Sequence, residues 1–292
     1  MPEMHCPSGD IGRAGCPSPA DCDIFDFIAR DLGLTVIHPG GLAATAALAE
    51  ELGIGPEMSV IDIGCGRGTA AVFLAERYGC RVTGIDISEE LLAGARALAE
   101  KRGVADRVTF LAGDAAGIPF PEGRFDVAIS QAVLVFFADK APAIREARRV
   151  IRDGGRAGWL ELSWKREMDD GMAQVIRREI RSHCMERAES FVGWRRVFAE
   201  AGITDLRVLE LPFTMSFDAA NMRVMLRDEG VANTLRIMGR YLLRKDVRDR
   251  MNAISRIFGN HKDFFGCGIY VVEKTGELAQ PAIPAPGQDT GG

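Results

Sequence analysis

Between about residues 42 and 164 the chain alternates short, unbroken apolar runs with longer amphipathic stretches. "MSVIDIG", "RVTGIDI", "RVTFLAG", "RFDVAIS" and "RAGWLELSW" are rich in β-branched residues and apolar at successive positions, which predicts strands buried on both faces. The intervening segments Thr69–Tyr78, Ser88–Arg102 and Lys140–Arg152 have helical spacing. Ser88 is placed to cap the second of these, with Glu89 and Glu90 in its first turn, and Gly154–Gly155 end the third. Upstream, helical patterning starts at Asp23; "HPGG" (His38–Gly41) interrupts it before a helix at Leu42–Leu52 that Gly53 closes. Strands separated by helices predict a mainly parallel sheet covered on both sides.

Past Trp164 the pattern changes. Asp170–Ala188 and Gly193–Ala201 read as helices, "DLRVLELPF" (Asp205–Phe213) and "GCGIYVVEK" (Gly266–Lys274) as strands, and Ser216–Lys262 between them as almost wholly helical. The expected organisation is an irregular Cys/Pro/Gly arm at 1–22, a main domain at 23–214 plus 264–275, a helical cap inserted at 215–263, and a disordered Pro/Gly-rich tail at 276–292. No internal repeat is visible.

The first strand runs into "VIDIGCGRGTA", where Gly64, Gly66 and Gly68 follow a strand and precede a helix. In an open parallel sheet this is where ligands bind, at the carboxyl ends of the strands. Glycine there admits unusual φ and close approach to backbone amides at a helix start, although the cluster alone also fits a merely structural turn. Three carboxylates strengthen a nucleotide reading. Asp86 ends the second strand, where an acidic side chain accepts from both ribose hydroxyls. Asp114 ends the third, in reach of an adenine amine, and Asp62 is a charge inside an otherwise apolar run that needs a cationic or donating partner. The third glycine comes one residue too early for the dinucleotide pattern G-x-G-x-x-G, so the pyrophosphate signature is not met. A ligand cationic near the glycines and free of phosphate fits better: S-adenosylmethionine, with its amino group and sulfonium.

These segments, with "FLAGDAAGIPFPEGRFDVAIS" and "AIREARRVIRDGGRAGWLE", resemble the class I S-adenosylmethionine-dependent methyltransferases, in particular the small-molecule, ubiquinone/menaquinone-biosynthesis-like type 11 branch. The resemblance implies an α/β, Rossmann-like, doubly wound seven-stranded sheet whose last strand is antiparallel, matching "GCGIYVVEK" paired with "DLRVLELPF". It implies that Asp62, Gly64, Cys65, Gly66 and Gly68 wrap the methionine end of the cofactor and that Asp86 holds the ribose. Asp114 would meet the adenine amine, Ile87 and Ala115 would flank the ring, and Ser130–Gln131 would line the transfer site. Methyl transfer is an in-line displacement that needs proximity and exclusion of water, and a base only for a protonated acceptor. Among His38, His183 and His261, His38 is the first candidate, with Gln131 beside it as the second catalytic residue. The residues "SQAV" (Ser130–Val133) replace the "NPPY"-like stretch of adenine- or cytosine-N-methylating enzymes, which argues against that class.

Composition adds limits. The 292 residues carry a net charge of −5, so a polyanionic partner such as nucleic acid is not expected for the chain as a whole. The longest apolar stretch, "AVLVFFA", is too short to cross a bilayer, and no secretory h-region is evident near the start. Seven scattered cysteines predict free thiols in a reducing cytoplasm. Cys6, Cys16 and Cys22 match no zinc spacing, so no metal is expected, and the thiol or arsenite-type methyltransferase that they raise is an alternative. From Arg223 to Lys262 ten Lys/Arg face four Asp/Glu, and Arg236, Arg240, Arg244 and Arg248 form an i, i+4 stripe beside Leu235, Met238 and Leu242. A solvated helix face is the simple reading; an anionic acceptor, a partner surface or peripheral contact with lipid are the sharper ones. The expected activity is methyl transfer to a small molecule held under the cap. An RNA or protein methyltransferase, a non-catalytic cofactor-binding regulator and an NAD-dependent oxidoreductase are the alternatives.

Overall fold

Strand β1 (Ser59–Ile63) sits at the middle of the sheet and fixes where the site must lie. The structure, a computed structural model, describes Ile24 and residues 27–211, 213 and 219–275. The expected arm at 1–22, with Cys6, Cys16 and Cys22, the expected tail at 276–292 and the start of the expected cap lie outside the described residues.

In chain order a π-helical turn (Phe27–Leu32) precedes α1 (Gly41–Leu52), β1, α2 (Thr69–Tyr78), β2 (Arg81–Asp86), α3 (Glu89–Arg102) and β3 (Val108–Ala112). Then come β4 (Phe125–Gln131), α4 (Ala141–Val150) and a long β5 (Ile151–Trp164). The sheet order is β3-β2-β1-β4-β5-β8-β7, with β7 at Arg207–Leu211 and β8 at Phe265–Glu273. β1 pairs in parallel with β2 on one side, Asp62 opposite Gly84, and with β4 on the other, Ile63 opposite Ser130. Strand order therefore reverses between β1 and β4, and the crevice opens at their carboxyl ends. β8 runs antiparallel to β5, from Arg156 opposite Glu273 to Trp164 opposite Phe265, and antiparallel to β7.

The unbroken apolar runs follow from burial on two faces. Val60, Val82, Val127 and Leu160 pack with Leu48, Leu74 and Leu92 of α1–α3. Ile61, Ile85, Ala128 and Trp159 pack on the opposite side with Ile144 of α4 and with Trp194 and Phe198 of α7 (Phe191–Glu200). The Phe198 ring lies 4.9 Å from Trp159 and 5.5 Å from Tyr270, and Trp194 Nε1 donates to Leu162 O at 3.0 Å. Truncating so enclosed a ring costs about 3–5 kcal/mol.

Four expectations change in detail. The helix expected at Asp170–Ala188 is α5 (Asp170–Gln174), a π-helical turn (Val175–Ile180) and α6 (His183–Glu186). Left-handed Arg181 (φ 59°) breaks it before Ser182 caps the last piece through Met185 N–H. A two-residue strand, β6 (Glu189–Ser190), adds to the end of β5 as an eighth strand. The insertion between β7 and β8 forms α8 (Ala219–Leu243), kinked at Gly230, and α9 (Lys245–Asn260). The arginine stripe does not run along one helix, because Arg244 is extended (φ −98°, ψ 106°) at the start of α9.

Candidate active site

A cavity of about 360 Å³ opens above the carboxyl ends of β1, β2 and β4. Its wall includes the expected residues His38, Asp62, Gly64, Cys65, Gly66, Asp86, Ile87, Asp114, Ala115 and Gln131. Gly68 and Ser130 are not in the wall. Gly68 serves packing: at φ 72° a Cβ there would meet the Phe110 ring at 2.6 Å and Ala95 Cβ at 2.7 Å. Ser130 is buried, its Oγ without a hydrogen-bond partner among the described residues.

The loop amides are not the open anion nest that the glycines invite. Gly64 N–H and Cys65 N–H both donate to Ile85 O (2.8 and 2.9 Å), Gly66 N–H to Asp86 Oδ2 (2.9 Å) and Gly68 N–H to Cys65 O (2.9 Å). With these donors engaged inside the protein, a phosphate gains little there. Around Gly66 a Cβ would meet nothing within 4 Å, so bare backbone faces the cavity at that point. Burial pushes the Cys65 thiol far above its ordinary value, leaving it an inert small residue of the wall.

The carboxylates supply the chemistry. Asp62 is 2% exposed, and its Oδ2 has no hydrogen-bond partner among the described residues. Burial, and then repulsion from Asp86, push its pKa up to about 7. Asp86 is also raised by burial, opposed by the amides of Ser88, Gly66 and Ile87. Its two oxygens each take one amide, from Ser88 and Gly66, both at 2.9 Å, which orients the carboxylate and leaves lone pairs for further donors. Asp114 Oδ1 accepts from Ala116 N–H at 2.9 Å, fixing the turn after β3.

On the other side of the cavity, the expected pair His38 and Gln131 is joined through a residue sequence reasoning missed. Thr45 of α1, fully buried, places its Oγ1 3.3 Å from His38 Nε2 and 2.9 Å from Gln131 Oε1. His38 Nδ1 lies 3.4 Å from Pro39 O. Burial lowers the His38 pKa to about 4, against the opposing pull of Pro39 O and Asp228, so the ring is neutral near pH 7. His261 does not line the cavity, and the His183 side chain lies outside the described residues. Beyond Gln131, Ala132 is held at φ 56°, a left-handed conformation that costs a non-glycine residue about 1 kcal/mol or more. Its N–H donates to Leu160 O at 2.7 Å, and Glu161 Oε1 accepts from Val133 N–H (3.1 Å) and Leu134 N–H (3.0 Å). Burial raises the Glu161 pKa to about 8 despite those amides. A charged residue inside "WLELSW" was the sequence signal for it, the same signal that marks Asp62.

Residues 34–38 close the cavity, and α8 holds them down. Glu229 Oε1 accepts from Thr35 N–H (2.7 Å) and Val36 N–H (3.1 Å), and its Oε2 from Thr35 Oγ1 (2.8 Å). Asn233 Nδ2 donates to Gly33 O at 3.1 Å, and Asp228 Oδ2 accepts from Leu42 N–H at 3.0 Å. The arginines of the expected stripe lie outside the cavity wall. Arg240 donates to Arg30 O (3.1 Å), Arg244 pairs with Asp31 (3.2 Å) and Asp246 (2.6 Å), and Arg248 donates to Leu242 O (2.7 Å).

A doubly wound sheet with an antiparallel strand at β8, glycines after β1 and carboxylates at three strand ends defines the class I S-adenosylmethionine-dependent methyltransferase architecture. Residues 60–155 match the family model described as a methyltransferase domain, and the chain carries such a domain. An uncharacterized protein of Haemophilus influenzae is 28% identical over 82% of this chain and 94% of its own length. A sterol 24-C-methyltransferase of Gibberella zeae is 34% identical over 44% of this chain and 38% of its own. The chain thus spans little more than a third of that named relative. In fold, a phosphoethanolamine N-methyltransferase of Haemonchus contortus superposes with a TM-score of 0.65 at 19% identity, over 86% of this chain and 57% of that one.

Proposed function

We propose that this protein transfers the methyl group of S-adenosylmethionine to a small, largely apolar acceptor held beneath residues 34–38. The observation that carries the reading is Asp62: a buried carboxylate with an orphaned oxygen in the cavity wall demands a cationic donor, and nearby loop amides are already engaged. The cofactor's ammonium meets that demand beside Gly66, its ribose hydroxyls fit the free lone pairs of Asp86, and its adenine fits between Ile87 and Ala115 with Asp114 at the edge. When bound it supplies an electrophilic methyl group on a sulfonium.

The chain's own residues position the acceptor and exclude water. Leu34, Val36, Ile37, Val133, Phe136 and Phe137 make the acceptor side of the wall apolar. His38 is a positioning residue, since a neutral ring with so low a pKa is a weak base. A neutral imidazole carries one ring proton. The Thr45 hydroxyl donates to Gln131 Oε1 at 2.9 Å, so the contact with His38 is made by Nε2–H donating to Thr45 Oγ1 at 3.3 Å. Gln131 is thereby held through its carbonyl oxygen and keeps its amide N–H for an oxygen of the acceptor. The arginine stripe supports no anionic acceptor, because its members are tied down outside the wall. The test is calorimetric titration of S-adenosylmethionine, then a screen of oxygen, nitrogen, carbon, sulfur and arsenic acceptors for release of S-adenosylhomocysteine. Absence of donor binding would overturn the reading; turnover restricted to strongly anionic acceptors would overturn the acceptor class.

A further inference from the structure

The outward face of α8 is apolar where a solvated helix should be polar. Past the kink at Gly230, Thr234 and Ile237 point inward and are buried. At ~100° per residue the opposite sector carries Val231, Ala232, Leu235, Gly239, Leu242 and Leu243, with Arg236 at its edge. Val231, Leu235, Leu242 and Leu243 are 65%, 66%, 59% and 87% exposed. Contiguous exposed leucines mark an interaction surface rather than a solvent face.

Charge selects the occupant. The segment Arg223–Lys262 carries ten Lys/Arg against four Asp/Glu in a chain of net charge −5. Arg236 stands at the edge of the apolar sector, Lys245 is exposed at the start of α9 just beyond Leu243, and Arg223 and Arg227 are exposed on the preceding part of the helix. A second copy packed two-fold on this face would set the positive segment against itself. An anionic lipid surface neutralises it while the leucines enter the acyl boundary. Position agrees: Glu229, two residues before Val231, holds Thr35 and Val36 of the cavity's cover. We propose that the outer face of α8 docks the protein on an anionic lipid surface, from which the cavity draws a lipophilic acceptor. The second half rests on the methyl-transfer reading above; the docking does not.

The experiment is sedimentation of the full chain with vesicles of phosphatidylcholine alone or with about one third phosphatidylglycerol, without methyl donor. Binding to the anionic vesicles is expected, weakening steeply with salt. Arg236→Glu should lower it roughly tenfold, and Leu235→Glu with Leu243→Glu roughly a hundredfold or more. The same variants keep wild-type melting temperatures and donor affinity, so loss of docking is separable from loss of fold or of donor binding. No sedimentation with either vesicle overturns the proposal. So does a wild-type dimer that the leucine pair dissociates while vesicle binding is unchanged, which gives the face to a second copy. Binding that emerges only after residues 1–22 are removed gives the face to that segment and overturns it equally.

Discussion

Replacing Asp62 with Asn should stabilise the free protein and weaken its grip on the methyl donor. The folded-state pKa of Asp62 is raised to about 7 from an ordinary 3.8, mainly by burial. A raised carboxylate adds stability through its proton that is complete below 3.8 and is lost as the pH climbs through 7. Each pKa unit is worth about 1.4 kcal/mol, so at pH 8 the ionised, unpartnered carboxylate burdens the fold by about 4 kcal/mol. Asparagine removes that charge at nearly constant shape. At pH 8 the variant should melt higher by roughly 6–8 °C, taking about 2 °C per kcal/mol for a chain of this size. At pH 5 only the interval above 3.8 still counts, so the gain should shrink by more than half. Donor affinity should fall in the same variant by about 10–100-fold, the worth of one charge-assisted hydrogen bond. Wild-type donor binding should itself weaken about tenfold per pH unit below 7, where binding must first expel the Asp62 proton. Differential scanning calorimetry at the two pH values, with isothermal titration at pH 8, reads all three. A variant that melts lower at pH 8 and binds the donor unchanged would refute the reasoning, by showing that Asp62 is satisfied inside the free protein.

Thr45→Val keeps the shape but cuts His38 from Gln131; kcat should drop about tenfold or more with donor Kd unchanged, and Thr45→Ser should restore it. Equal kinetics in Val and Ser would dismiss the orientation of Gln131. Because the His38 pKa is lowered to about 4, its stabilising effect is present above 6.5 and is lost as the pH falls from 6.5 through 4. Activity should accordingly show no histidine limb near pH 6.5, and finding one that His38→Gln abolishes would make His38 a base. Gly68→Ala should destabilise by about 3 kcal/mol or more through its clash with Phe110, whereas Gly66→Ala should cost about 1 kcal/mol and act on donor affinity instead, as denaturant melts and titration would show. Glu229→Ala releases three donors of Thr35 and Val36; their amides should exchange about tenfold faster or more, and the donor KM should rise, while unchanged protection would mean that α8 does not hold the cover.

The sheet was legible in the sequence for one reason: strands covered on both faces are apolar at successive positions, so Val60–Ile61 and Val127–Ile129 cannot be mistaken for half-exposed strands. The same rule made Asp62 conspicuous, and it applied equally to Glu161, whose role became visible only with Val133 and Leu134 folded back onto it. Thr45 carried no signal, because a threonine in an alanine-rich helix is unremarkable until β4 brings Gln131 to its hydroxyl. The glycine loop lines the crevice at the carboxyl ends of β1 and β2, but its amides play a different part from the one the spacing implied. Its donors bind Ile85 and Asp86, so the loop shapes the cavity and aims a carboxylate instead of offering bare amides. The arginine stripe was periodic in sequence yet interrupted in space at Arg244, where a chain reversal no side-chain period could announce turns the stripe into tethers. Those tethers explain the cap's outer face. With the arginines turned to Arg30 and Asp31, the leucines between them are left pointing outward, and a helix so arranged keeps its polar contacts for its own domain and offers its apolar side to something else.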